Sequence, residues 1–330
     1  MDVTTVASDL VVVHDGTIVH RWADLQPETE VRVEQLLVRT SRRPPGALLS
    51  RIATVNDLHF GEVDCGRLEQ LEQGPIQRVA PDEEPYPETM NRGAVAEMLA
   101  VDPDLVVVKG DVTTDGLAGE WAAFDDCYRP LADRLAVVRG NHDAYHGQPE
   151  AAGDRYVELE GVVVALLDTV VAGRSNGALD ADQLERLDEH ARTADRPLIV
   201  MGHHPMWLDG PRSDDHFGMH PDSSEALADV VARRPSIVAY TAGHTHRHRV
   251  LPMPCGVPGI EVGCVKDFPG TWAEYRVHEG GIEQVVHRVS TPAALRWSER
   301  CRHLYRDFGV DYEAYALGRL EDRCFTIGLR

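Results

Sequence analysis

Lysine is nearly missing from this 330-residue chain: only Lys109 and Lys266 are present, and arginine supplies the rest of the 33 basic residues. The lysine shortage reads as coding bias and carries no functional weight. Cations of either kind are outnumbered by 54 acids, for a net charge of −21. A broad surface for nucleic acid or an anionic membrane needs clustered Lys and Arg, so neither partner is expected. The six cysteines (Cys65, Cys127, Cys255, Cys264, Cys301, Cys324) include no CxxC pair and no finger-like spacing. At this length a disulfide scaffold is unnecessary, and a reduced, cytoplasmic setting is the expectation. No apolar run approaches the ~20 residues a membrane helix needs. The start, Met1-Asp2, lacks the basic-then-apolar pattern of a secretory signal. The twin arginine Arg42-Arg43 is internal and runs into Pro44-Pro45, which weakens an export reading. Repeats and low-complexity tracts are absent too.

What is present suits a soluble α/β protein. Hydrophobic residues make up 43% and charged residues 26%, enough for one large domain with appendages or for two domains. Leu10–Val13 and Thr17–Val19 flank Asp15-Gly16, a two-residue hairpin signal, and Val31–Val38 supplies a further strand. Ser41–Gly46 reads as a linker. From Arg51 onward, apolar β-type runs alternate with helical stretches: strands at Ile52–Val55, Leu105–Val108, Leu135–Val138, Val162–Leu167, Leu198–Met201 and Ile237–Tyr240. Helices are expected at Thr89–Val101 (Val95, Met98 and Leu99 on one side), Glu120–Leu131, Asp180–Ala191 and Asp222–Ala232. Nearly all-apolar strands imply sheets covered by helices. After His248 the pattern returns to β, and Pro292–Leu320 reads as helical. The acidic, proline-containing stretch Gly61–Pro87 is a long loop, either functional or a solvated insertion.

Five of the strand-like runs end the same way, in a small or turn-forming residue followed by metal-ligand types. They lead to Asn56-Asp57-Leu58-His59, Gly110-Asp111, Gly140-Asn141-His142-Asp143, Gly202-His203-His204-Pro205 and Gly243-His244-Thr245-His246. Functional groups in open α/β sheets gather beyond the carboxyl ends of strands. Asp57 and His59 are two apart, as are His244 and His246, so an extended segment points each pair to one side. Two carboxylates, an amide oxygen and several imidazoles can build two divalent sites if one carboxylate bridges, and Asp111 is the natural bridge. Mixed imidazole and carboxylate ligation favours Mn, Fe, Zn or Co. Two such ions against Asp57 and Asp111 leave roughly +2 locally, which suits a phosphate. Taken singly, each motif is more often an ordinary turn; His216, His220 and His248 are read as surface or supporting residues.

Taken together and in this order, the motifs resemble the set of the calcineurin-like metallophosphoesterases, over about Arg51 to His248. Gly177-x-Leu179 before a helix, followed by Gly202-His203-His204-Pro205, is most similar to the bacterial cyclic-nucleotide and glycerophosphodiester phosphodiesterase branch. The resemblance implies a four-layer α/β/β/α sandwich of two mixed sheets with a dinuclear centre. It implies that Asp57, His59, Asp111 and His246 hold one metal and that Asp111, Asn141, His203 and His244 hold the other. His203 is chosen over His204 because the family's ligand stands two before proline. Lys109 departs from the small or polar residues common before Gly-Asp. The corresponding division is a small β unit and linker at 1–46, a catalytic domain at 47–289 and a C-terminal helical extension at 290–330.

The implied chemistry is attack on a small phosphoester by a hydroxide bridging two cations. His142 is then placed to protonate the leaving oxygen, with Asp143 expected to hydrogen-bond its imidazole. A small phosphodiester is the expected substrate; a phosphomonoesterase and an inactive binding scaffold are the alternatives. Leu295, Trp297, Leu304, Tyr305 and Phe308 recur at near-helical spacing, for core packing or, alternatively, for a homodimer seam.

Overall fold

The computed structural model describes residues 1–33, 36–67, 76–213 and 215–330. The chain opens with β1 (Asp2–Val6), β2 (Val11–Asp15) and β3 (Ile18–Trp22), an antiparallel sheet that turns at Gly16 with φ 57°. The strand expected at Val31–Val38 is two strands, β4 (Glu30–Val33) and β5 (Leu36–Arg39), paired antiparallel. Residues 34–35 of that expectation, and 68–75 of the Gly61–Pro87 loop, lie outside the described residues.

The alternation from Arg51 is observed: β6 (Leu48–Val55), α1 (Tyr86–Val101), β7 (Leu105–Lys109), α2 (Ala118–Tyr128) and β8 (Leu135–Val138). Next come β9 (Arg155–Leu159), β10 (Val162–Leu166), α3 (Ala181–Thr193), β11 (Leu198–Met201), α4 (Pro221–Arg233) and β12 (Ile237–Ala242). The β-rich remainder is β13 (Arg249–Pro252), β14 (Pro258–Glu261), β15 (Thr271–His278) and β16 (Gly281–Arg288). The chain closes with α5 (Pro292–Cys301), α6 (Tyr312–Leu317), α7 (Leu320–Arg323) and β17 (Phe325–Ile327). The helix starts are local: Pro87 sits in the first turn of α1, and the Asp180 side chain accepts from Gln183 N at the head of α3. Within α1, Val95 and Met98 are buried but Leu99 faces solvent, one position off the expected face.

Among the described residues the strands form two mixed six-stranded sheets, ordered β17-β16-β15-β6-β7-β8 and β13-β14-β12-β11-β10-β9. Ile52, Val107, Val164, Ile199, Val238 and Tyr275 pack between them, while α1, α2 and α5 cover the first sheet and α3 and α4 the second. Strands buried on both faces explain the near-continuous Val, Ile and Leu runs. The result is the four-layer α/β/β/α sandwich. The outer face of β15 and β16 carries Glu274, Arg276, Glu283 and His287, and the N-terminal strands rather than a helix lie over it, with Val285 packed on Ala7, Leu10 and Val12. The C-terminal segment is not helical to its end: β17 pairs with β16 as an edge strand. Leu295, Trp297 and Leu304 are buried in the core of the first sheet, the packing option, whereas Phe308 is exposed. All six cysteines are free, and among the described residues no helix is long and apolar enough to cross a membrane.

Candidate metal centre

The five motif-bearing strand ends come from both sheets. β6, β7 and β8 are neighbours in one, β11 and β12 in the other, so the crevice forms where two stacked sheets end together. The loops lock to each other through backbone. Asp57 N donates to Gly110 O (3.0 Å), Leu58 N and His59 N to Asp111 O (2.7 and 3.0 Å), and Gly243 N to His203 O (3.0 Å). Five of the seven expected ligands sit at left-handed φ: Asp57 (55°), His59 (51°), Asp111 (48°), His244 (70°) and His246 (54°). Such backbone costs of order 1–3 kcal/mol per non-glycine residue and persists only where its surroundings impose it. Two glycines make the close approach feasible. A Cβ on Gly140 would lie 2.2 Å from Asp111 N and Oδ1, and Gly110, at φ 82°, abuts His203.

All seven side chains meet. Asp57, His59 and His246 offer donor atoms within 4.8 Å of one another, as do Asp57, Asp111 and His203. Asp111 Oδ2 lies 3.6 Å from His59 Nε2 and 3.2 Å from His203 Nε2, the position of a bridge between two groups of donors. His246 Nε2 stands 3.6 Å from Asp57 Oδ1. His203 Nδ1 is 2.8 Å from the Lys109 carbonyl, which fixes its proton there and turns Nε2 into the crevice. Asn141 Nδ2 donates to Tyr145 OH (2.7 Å), so its Oδ1, 3.1 Å from His203 Nε2, is the atom presented. His204 groups with His203 and His244, but its Nδ1 is 2.8 Å from Thr169 Oγ1.

Both ring nitrogens of His59 and Nε2 of His244 are buried without a hydrogen-bond partner. Buried polar atoms left so ask for an explanation, and three such nitrogens among converging donors fit a cation. Burial holds His59 and His244 well below the ordinary imidazole range, so each keeps a lone pair. Burial also works against charge on His203, but Asp111 and Asp57 outweigh it and raise its pKa to about 9. One pocket thus holds imidazoles starved of a proton and an imidazole drawn toward one. A cation would satisfy both.

One expectation needs correction. Asp143 does not reach His142: its carboxylate accepts from Val112 N (3.1 Å), Thr113 N (2.8 Å), Thr113 Oγ1 (2.6 Å) and Gly140 N (2.7 Å). Buried and tied to those amides, it pins the Asp111 loop to the Gly140 turn. His142 Nδ1 lies instead 2.8 Å from the Thr114 carbonyl, and one of its ring nitrogens is within 4.8 Å of the donor atoms of His59 and Asp111. Of the two readings of His248, surface or supporting, the structure favours the second. The residue is buried, with Nδ1 accepting from Gly263 N at 3.2 Å. Lys109 is fully buried beneath the centre, where Nζ donates to Thr241 Oγ1 and Ala242 O (3.1 Å each) and so ties β7 to β12 across the sheets. Burial pushes its pKa down to about 7, against the pull of Asp57.

Two further groups border the crevice and were not foreseen. Asp267 Oδ2 is 3.6 Å from His246 Nδ1; it stands six residues past the end of β14, too far for the strand-end rule to find it. Phe217 lies 4.1 Å from the His244 ring, at 28°, while 58% exposed; no spacing in the sequence marks it.

The Calcineurin-like phosphoesterase family matches residues 50–248. A Synechococcus sp. protein described as a probable cyclic nucleotide phosphodiesterase is 28% identical over 201 residues, 57% of this chain and 78% of its own length. A 3′,5′-cyclic adenosine monophosphate phosphodiesterase (CpdA) of Vibrio vulnificus is 28% identical over 218 residues, 59% of this chain and 78% of its own. In shape, the crystal structure of a dimetal phosphatase from Danio rerio aligns with a TM-score of 0.58 at 14% identity, over 86% of this chain and 100% of that one, a likeness of fold.

Proposed function

From a chain that belongs to the calcineurin-like phosphoesterase family, and is therefore a hydrolase of phosphoesters, we propose metal-dependent cleavage of a small phosphodiester, with a cyclic nucleotide the first choice. The observation that carries this reading is the set of seven converging donors, with the nitrogens of His59 and His244 buried and unpartnered. Asp57, His59, Asp111 and His246 would hold one divalent cation, and Asp111, Asn141, His203 and His244 the other. Mn, Fe, Zn and Co all suit this donor set. Bound there, two cations would supply charge against the phosphoryl oxygens and acidify a water at neutral pH.

The protein's own part is positioning and proton transfer. Asp143, through its hold on Val112, Thr113 and Gly140, keeps Asp111 and Asn141 in register. His142 donates from Nδ1 to Thr114 O, which leaves Nε2 to give its proton to the leaving oxygen as the P–O bond breaks.

Two observations favour a nucleotide over a glycerol ester. Two relatives aligned over 78% of their own length are described as cyclic nucleotide phosphodiesterases, one of them as probable, whereas two glycerophosphodiester phosphodiesterases align over 57% and 56% of theirs. Phe217 stacks on His244 yet is 58% exposed, leaving ring surface for a base. Stacking on an aromatic contributes ~1–3 kcal/mol per base. A panel of cyclic nucleotides, glycerophosphodiesters, bis(p-nitrophenyl) phosphate and monoesters, assayed with metal-reconstituted protein, tests the reading. Diesters should lead, and Phe217→Ala should raise KM for the cyclic nucleotide ~10-fold while sparing the glycerol ester. A clear preference for monoesters overturns the diester assignment. Protein that gains no thermal stability from Mn, Fe or Zn points to a scaffold instead.

A further inference from the structure

The C-terminal segment reaches the centre through α6. Tyr315 OH donates to Thr245 O at 2.8 Å, between the two histidines of Gly243-His244-Thr245-His246. His248 N donates to Ala316 O at 3.1 Å, and the Arg247 guanidinium lies 5.4 Å from the Tyr315 ring centroid. One turn earlier, the buried Tyr312 hydroxyl donates to Asp267 Oδ1 at 2.8 Å, and Cys264 Sγ lies 3.1 Å from the same oxygen. The other oxygen of Asp267 is the one 3.6 Å from His246 Nδ1, while His246 Nε2 faces Asp57. The imidazole therefore spans two carboxylates, one inside the crevice and one behind it. A ligating histidine backed by a carboxylate has its tautomer and ring orientation set by that partner. Contacts of this kind are often long before ligands bind.

We infer that Asp267, itself held by Tyr312, is the positioning residue for His246, and that α6 braces the left-handed loop carrying His244 and His246. The inference rests on the metal reading above. It gives the C-terminal segment a definite role: the segment holds two ligands in a backbone conformation that the loop would not keep alone. The chain's last helices belong to the site as much as to the core.

The test is Co²⁺ titration of metal-free, full-length protein, followed by its visible absorption, beside thermal melts of the same samples without metal. Asp267→Asn should weaken one class of Co²⁺ sites ~10–100-fold and alter its spectrum, with Asp267→Glu recovering part of the loss. Tyr312→Phe, which removes only the hydroxyl, should shift affinity in the same direction by less. Tyr305→Phe, in a ring 5.1 Å from Tyr312, should bind as wild type. Wild-type affinity and spectrum in Asp267→Asn, or in Tyr312→Phe if the first variant does not fold, overturn the inference. Equal weakening in Tyr305→Phe together with a lowered melting temperature also overturns it, because packing would then explain the effect. Wild-type protein that takes up no Co²⁺ removes the metal reading and the inference with it, an outcome distinct from the others.

Discussion

Two buried polar clusters share the first sheet, and they are built on opposite rules. Beyond the ends of β6 and β7, Asp57, His59 and Asp111 meet His203, His244 and His246, all but His203 on left-handed backbone, with nitrogens of His59 and His244 lacking partners. On the outer face of β15 and β16, Glu274, Arg276, Glu283 and His287 lie in regular strands. There each carboxylate faces a cation. Glu274 meets Arg51 (2.7 Å), Arg276 (3.0 Å) and His287 (3.1 Å), and Arg276 also meets Asp9 (2.7 Å) and Glu283 (3.3 Å). Glu283 accepts from Ser8 N (2.7 Å) and from Ser41 Oγ (2.9 Å) as well, which fastens the N-terminal strands to the sheet. The difference lies in the pairing: the charged groups of the second cluster face one another, and the first leaves imidazole nitrogens of His59 and His244 without a partner. A complete cluster contributes attachment. An incomplete one needs something from outside.

Breaking the incomplete cluster should cost activity far more than stability. Asp111→Asn removes the proposed bridging carboxylate, and with several kcal/mol of transition-state stabilisation at stake turnover should fall ~10³-fold or more. Chelation of the wild type should do the same and be reversed by Mn, Fe, Zn or Co; wild-type turnover in Asp111→Asn would contradict the bridge. His142→Ala should lower turnover ~10²–10⁴-fold with metal content unchanged. Loss of metal in that variant would instead make His142 a ligand.

The site was legible where its chemistry is local. A strand, a turn-forming residue and a donor side chain stand together in the chain, so the convergence of Asp57, Asp111, Asn141, His203 and His244 could be read from order alone. Side-chain partners set by packing could not. Asp143 is adjacent to His142 in sequence, but a 3₁₀ turn at His142–Ala144 sends its carboxylate to the amides of Val112, Thr113 and Gly140. Tyr312 meets Asp267 across 45 residues, and Lys109 meets Thr241 across 132. The fold shows the same division. Apolar runs revealed the strands, but their partition between two stacked sheets, and the return of β17 to the edge of the first, depend on long-range pairing. Glu274 and Arg276 alternate along β15 with Ala273, Tyr275 and Val277 of the core, on the face that an antiparallel sheet commonly leaves to solvent. They are buried because residues near the start of the chain cover them.

Breaking the complete cluster should have the reverse effect. Glu274→Gln leaves Arg276 and His287 buried against a neutral amide, and loss of one partner from a buried pair costs about 3 kcal/mol. The urea midpoint should fall accordingly, with turnover per folded molecule retained. A large activity loss at unchanged stability would erase the distinction between the clusters.

The smallest expected effect is on pH dependence, and it sharpens the comparison most finely. Burial opposes ionisation of Glu274, but the hydrogen bond and charge of His287, with Arg276, outweigh it and hold the carboxyl well below the usual range. A folded pKa depressed in this way gives stability that is fully present above the unfolded value, roughly 4.3. That stability is lost as pH falls toward the folded value. Glu299 shares the window, since Arg302 and Arg288 draw its pKa to about 2 against burial. Urea midpoints measured from pH 7 down to pH 3 should therefore decline in the wild type below about pH 4.5. In Glu274→Gln they should start lower and decline less steeply, with the Glu299 share remaining. Parallel curves for the two proteins would mean that Glu274 is not the paired anion the cluster requires.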